Sequence, residues 1–194
     1  MVKWDIISAP PASVSAHIAA DWELFQAMEA GAIAPTVRLY TWSQPGITCG
    51  YLQSDQPLAS WVPPASFSAP NSDIVRRPTG GGVVFHETDE VVYCLAAPND
   101  PAVFPNRLSD AYYQISRMIL NGLQSLGLPV SIQNLAAEVS GLKSNRNALC
   151  FATPEDYEIV LTDGTKIVGI AQRRTRHTIL QQGTIKTKCF REFF

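Results

Sequence analysis

Tyr157-Glu158-Ile159-Val160-Leu161-Thr162-Asp163-Gly164-Thr165-Lys166-Ile167-Val168-Gly169-Ile170-Ala171 is the stretch that decides the fold class. Two β-rich runs, Tyr157 to Leu161 and Thr165 to Ala171, flank Asp163-Gly164, the strongest short hairpin signal in the chain. A two-residue turn sets Lys166 directly across from Leu161, on a face shared with Ile159, Val168 and Ile170. A lysine on an apolar strand face must reach water with its tip or meet an anion. It is therefore either a snorkelling edge residue or a cation at one end of an apolar slot. Such a slot suits a fatty or lipoyl chain with a carboxylate, thioester or acyl-phosphate head.

Upstream lies Arg76-Arg77-Pro78-Thr79-Gly80-Gly81-Gly82-Val83-Val84-Phe85-His86, between the apolar pair Ile74-Val75 and the apolar run Val91 to Ala97. Glycines leave amide N–H groups free to approach an anion, and the arginines add fixed charge. Three glycines in a row would only weaken a strand. His86 is open to two readings, a base or donor to a ligand and a residue that orders the loop.

The remaining elements follow the same pattern of strands in hairpins with two long helices. Ser13 or Ser15 caps a helix running to about Ala30, with Val14, Ile18, Trp22, Phe25 and Met28 on one face. Asp21 within it is either solvated or fixes a neighbouring loop. Val37 to Trp42 and Ile47 to Leu52 read as a hairpin around Ser43-Gln44-Pro45-Gly46. Val91 to Ala96 is a fully apolar strand, 107–126 a helix closed by Gly127, and Thr178 to Ile185 a last strand. Arg173 to Arg176 with His177 form a basic turn, either solvated or facing an acidic partner or phosphate. The class is α+β with a largely antiparallel sheet.

Composition narrows the function. The chain has 194 residues, 46% hydrophobic and 16% charged, with a net charge of −2. This suits one domain over 1–194 and argues against nucleic-acid binding. No apolar run approaches a membrane span. Four scattered cysteines without a CxxC pair argue against a zinc site or disulfide framework, and for a reducing, cytoplasmic setting. Cys49 and Cys94 sit in apolar strands as core thiols, and Cys189 is incidental. Cys150, before the turn Phe151-Ala152-Thr153-Pro154, is either a packed loop thiol or a nucleophile.

Four stretches occur together and in order: Tyr40-Thr41-Trp42-Ser43-Gln44-Pro45 leading to Gly50-Tyr51-Leu52-Gln53, the glycine loop, Asp163 to Gly169 with Ala171-Gln172-Arg173, and Leu180-Gln181-Gln182-Gly183-Thr184. In these the chain resembles the lipoate-protein ligase A and octanoyltransferase family, itself related to biotin-protein ligase catalytic domains. The resemblance implies a large mixed, mostly antiparallel sheet plus a smaller sheet, with helices on their faces. It implies a tunnel lined by Arg76, Arg77, Thr79, Gly80, Gly81, Gly82, His86, Gly169 and Ala171, with Lys166 and Cys150 catalytic and no metal held by the protein itself.

Its implied activity is attachment of octanoyl or lipoyl groups to a lysine of a lipoyl domain or the glycine-cleavage H protein. Two chemistries are open. A transferase takes octanoate from acyl carrier protein through a cysteine thioester and needs no cofactor. A ligase uses free lipoate with ATP and Mg2+ by way of lipoyl-AMP. Cys150, Tyr157-Glu158, Glu90 and Ala171-Gln172-Arg173 resemble the transferase branch, whereas Gly82 resembles the ligases. Because the sequence stops at Phe194, the resemblance implies a catalytic domain without the C-terminal accessory domain of long ligases. Ile170 and Gln182 depart from the family pattern, which usually has Ser at the first and His before Gly-Thr. A binding module without turnover is the reading from another class.

Overall fold

The computed structural model describes residues 2–53, 73–133 and 157–190. Its centre is β6 (Glu90–Pro98), which is buried along nearly all its length. Val92, Cys94 and Ala96 pack into one core cluster, and Tyr93, Leu95 and Ala97 into two others. A strand covered on both faces must be apolar throughout, which is why its sequence does not alternate. Around it the large sheet runs in the order β1-β2-β6-β10-β9-β8-β7. These strands are β1 (Asp5–Ser8), β2 (Thr36–Tyr40), β7 (Val130–Ile132), β8 (Ile159–Leu161), β9 (Lys166–Arg174) and β10 (Thr178–Lys186). Every pair is antiparallel except β1 with β2.

Helix α1 (Val14–Glu29) starts at Ser13, whose side chain accepts from the Ala16 N–H, making Ser13 rather than Ser15 the cap. Its Val14, Ile18, Phe25 and Met28 pack on Tyr40, Val92, Cys94 and Leu180. Helix α2 (Leu108–Ser125) covers the opposite face, placing Ala111 and Ile115 against Leu95 and Ile179. The second sheet, in the order β4-β3-β5, comprises β3 (Gly46–Cys49), β4 (Asp73–Arg76) and β5 (Val84–His86). It shares the α1 side of the molecule: Val14 packs so closely on Gly46 that no side chain fits there. The architecture is therefore α+β with one large mixed and one small sheet.

Three expectations change. β2 and β3 do not pair; β2 joins the large sheet and β3 the small one, so 41–45 is a crossover rather than a hairpin turn. Arg173 and Arg174 belong to β9, which shortens the basic turn to 175–177. Most consequential, Lys166 pairs with Val160 rather than Leu161, while Val168 pairs with Ile159. The extra residue, Ile167, is a β-bulge, and it packs with Val168 and Ile159 in the α2-side cluster. Lys166 is thereby turned to the opposite face, together with Val160 and Glu158.

Candidate active site

Between the small sheet and the α1 face of the large sheet lies a cavity of about 410 Å³. Its floor is Tyr40, Val92, Gly169, Ala171, Gln182 and Thr184; its roof is Thr48, Arg77, Val84 and His86. Ile18 and Trp42 close the α1 side. The cleft opens to solvent, and its walls are mostly apolar with a few polar groups, the character of a small-ligand site.

The polar roof residues Thr48, Arg77 and His86 are held by a chain of hydrogen bonds. The Arg77 guanidinium donates to Thr48 Oγ1 at 3.2 Å and to Gly80 O at 2.5 Å. Thr48 Oγ1 lies 2.9 Å from His86 Nε2, and His86 Nδ1 lies 3.0 Å from Glu90 Oε2. Because the carboxylate only accepts, Nδ1 carries the proton and Nε2 accepts from the Thr48 hydroxyl. Burial holds His86 below the usual imidazole range despite the pull of Glu90, consistent with a neutral ring. Glu90 also accepts from Trp42 Nε1–H at 3.2 Å and from the Lys186 ammonium. Burial works against its charge, yet His86 and Lys186 together keep its carboxyl below the usual glutamate range.

A second carboxylate, Asp21, supports the floor from α1. It accepts from Arg38 (2.8 Å), Tyr40 OH (2.7 Å) and Gln182 Nε2 (2.7 Å). Gln182 in turn accepts from Thr79 Oγ1 at 2.7 Å, tying the glycine loop to this hub. Burial dominates here and raises the Asp21 carboxyl above the usual aspartate range, against those donors. Asp21 is thus the fixing residue of its two readings, not the solvated one.

The glycine loop is seated on the end of β3. Tyr51 N donates to Thr79 O and Arg77 N to Cys49 O. Gly50 touches the Gly80–Gly81 backbone so closely that a Cβ there would overlap Gly81 O. Gly81 has φ +89°, a region that side chains rarely adopt. From above, Arg173 donates to Pro78 O at 3.2 Å, its guanidinium lying over the rings of Trp22, Phe25 and Tyr51.

Of the residues that the sequence singles out, Arg77, His86, Gly169 and Ala171 line the cavity. Thr79 stands behind it and Arg76 outside it, donating to the carbonyls of Tyr51 and Gln53. Gly80, Gly81 and Gly82 form the loop after Thr79 and, against expectation, are not among the residues that line the cavity. Lys166 sits three residues before Gly169, roughly 10 Å along β9, and pairs with Glu158 at 2.6 Å. Cys150 falls outside the described residues. Cys49 and Cys94 are buried, and burial pushes the Cys94 thiol well up, as befits core residues. Sequence reasoning missed the structural use of Thr48, Gln182, Arg173 and Glu158. The signal for Glu90 was present in its place four residues after His86.

The profile of the lipoyl protein ligase A/B catalytic domain matches residues 13–194. Octanoyltransferase LipM of Brevibacillus brevis is 33% identical over 187 residues, covering 95% of this chain and 66% of that protein. LipM of Geobacillus kaustophilus is 34% identical over 184 residues, covering 94% and 64%. The chain thus spans slightly less than two thirds of these relatives' length. A crystal structure of lipoate-protein ligase A bound with ATP superposes with a TM-score of 0.68, at 16% identity, over 95% of this chain and 66% of that one. A bipartite lipoate protein ligase of Thermoplasma acidophilum, described with its E2 lipoyl domain, gives 0.65 at 16% identity over 96% and 62%. At such identities these two structures speak for the fold. No helix among the described residues is long and apolar enough to cross a membrane.

Proposed function

The chain belongs to the lipoyl protein ligase A/B catalytic-domain family, and from that premise we propose that it moves an octanoyl or lipoyl group onto a lysine of an acceptor protein. The observation that carries this reading is the cavity itself. Its lining residues reach from Tyr40 on β2 across β6 and β10 to Gly169 on β9, three strand spacings or about 14 Å. This is an apolar slot for a medium acyl chain, with Lys166 on the flank beyond Gly169. The acyl carbonyl would lie at that flank, where an ammonium can stabilise negative charge developing on oxygen.

The leading chemistry is octanoyl transfer from acyl carrier protein. The Cys150 thiolate attacks the thioester carbonyl, the carrier's C–S bond breaks, and the carrier thiolate leaves and takes a proton. The acceptor lysine's neutral amine then attacks the new thioester, expels the Cys150 thiolate and forms the amide after loss of a proton. This route needs no cofactor. Acceptors of matching chemistry are lipoyl domains and the glycine-cleavage H protein, in a cytoplasmic setting. The similarity to LipM over most of the chain supports this branch. The second reading is an ATP- and Mg2+-dependent lipoate ligase, favoured by Gly82, which leaves the glycine loop open to a phosphate.

One experiment separates them. The protein is incubated with an apo lipoyl domain, either with octanoyl-carrier protein or with lipoate plus Mg-ATP, and the acceptor mass is followed. Octanoylation in the first arm, with a hydroxylamine-sensitive adduct on the enzyme, is expected. Product in the ATP arm alone, unchanged by Cys150→Ser, would replace the transferase reading by the ligase. No product in either arm would leave a binding module.

A further inference from the structure

We propose that Glu158 is the positioning residue of Lys166: it seats the ammonium on the cavity side of β9, and a ligand's carboxylate or developing oxyanion must displace it. This rests on the function proposed above, but its evidence is separate and lies in the backbone.

The pair is short, 2.6 Å, and both side chains are only 3% exposed. A buried ion pair adds little stability over apolar residues of the same volume, because both charges lose their water. A structural role is therefore a poor reason for placing one in a sheet. Two local irregularities are nonetheless spent on making it. On β9 the bulge at Ile167 moves Lys166 off the apolar face it would occupy in a regular hairpin and onto the face of Val160. Just before the neighbouring strand β8, Tyr157 has φ +70°, the only non-glycine residue with positive φ among the described residues. A bulky side chain is strained there, and such strain persists only where surroundings impose it. Here Tyr157 N donates to Gln133 O and Gln133 N to Glu158 O, which pin Tyr157 and the residue after it. Thus the backbone departs from regular geometry in β9 and just before β8, at the two places that bring Glu158 to Lys166.

An ammonium already bound to a carboxylate is aimed, and it exchanges one anion for another without first being dehydrated. The expected signature is a split in which ligand affinity and turnover move in opposite directions. In Glu158→Gln the amide no longer competes as an anion, so lipoic acid should bind about tenfold tighter, the order of one charged hydrogen bond. Acyl transfer should meanwhile lose about tenfold in kcat with the acceptor KM unchanged, because Lys166 is no longer aimed. Glu158→Asp should recover most of the kcat. The tightening should vanish in the Glu158→Gln/Lys166→Met double variant.

Calorimetric titration with lipoic acid and mass-detected transfer to an apo lipoyl domain read both quantities. Wild-type affinity in Glu158→Gln at a native unfolding temperature would overturn the proposal. If the Gln variant fails to fold, Glu158→Asp carries the test, and unchanged affinity and kcat there would overturn it equally. Failure of the underlying function looks different. Wild-type protein that transfers no acyl group to the lipoyl domain from either donor, or Lys166→Met that transfers at the native rate, breaks the reading of the site whatever Glu158 does.

Discussion

Residues 92, 94 and 96 of β6 look onto one kind of interior, and residues 93, 95 and 97 onto another. On the α2 side, Leu95 and Ala97 meet Phe104, Ala111, Ile115 and Ile179 in a filled apolar cluster. On the α1 side the small sheet stands off, and the gap is held open by polar ties: Glu90 to Trp42 and His86, Asp21 to Tyr40 and Gln182, Thr79 to Gln182. Close packing leaves no room for a ligand, whereas directional bonds can brace a space without filling it. Close packing and open space are thereby assigned to opposite faces of one strand.

The largest effect that would break this division is Phe104→Ala. Phe104 is buried against Trp4 on the filled side, so denaturant unfolding should show a loss of about 3–5 kcal/mol. Affinity for lipoic acid should stay within about twofold; a large loss would mean that the faces are coupled. Next comes Lys166→Met. Acyl transfer should fall by about 10²–10³ while thermal unfolding remains cooperative, and full activity would reduce Lys166 to a structural residue. Gly81→Val is expected to damage binding more than folding. The φ of +89° makes the substitution strained, costing about 1–2 kcal/mol, and the loop displaced from Gly50 should weaken lipoic acid binding more than tenfold. Normal binding would show that the loop does not shape the site.

The smallest effect is a pH dependence. Glu90 is held below the usual glutamate range in the folded state, so it stabilises the protein above its unfolded value, near 4.5. That contribution is withdrawn as the pH falls through the lower folded value. Glu90→Gln should therefore flatten the acid limb of a plot of stability against pH. An identical limb in the variant would assign acid sensitivity to other carboxylates.

Much of this division was legible in the sequence. The run Val91 to Ala97 announced a fully apolar strand, and of the glycine-loop stretch Arg77 and His86 do face the cavity. What could not be read was the bulge at Ile167. Asp163-Gly164 set the turn, but a single inserted residue reverses every side chain beyond it, and nothing in Lys166-Ile167-Val168 distinguishes the two registers by hydrophobicity. The crossover at 41–45 was hidden for a related reason. Ser43-Gln44-Pro45-Gly46 carries the residues of a tight turn, and only tertiary packing, with Gly46 against Val14, sends β3 to another sheet. Asp21 looked like a surface carboxylate because its partners Arg38, Tyr40 and Gln182 are distant in sequence.

The position of β10 has a consequence for how the protein is made. It is among the last strands in the chain, yet it lies in the middle of the large sheet, between β6 and β9. Until it emerges, β6 has one edge unpaired. From Pro98 to Lys186, at a synthesis rate of about 5–20 residues per second, this interval is roughly 4–18 s. The nascent chain passes through that window with its most apolar strand available to other chains. Completion of the cavity and protection from aggregation are therefore the same late event, the docking of β10.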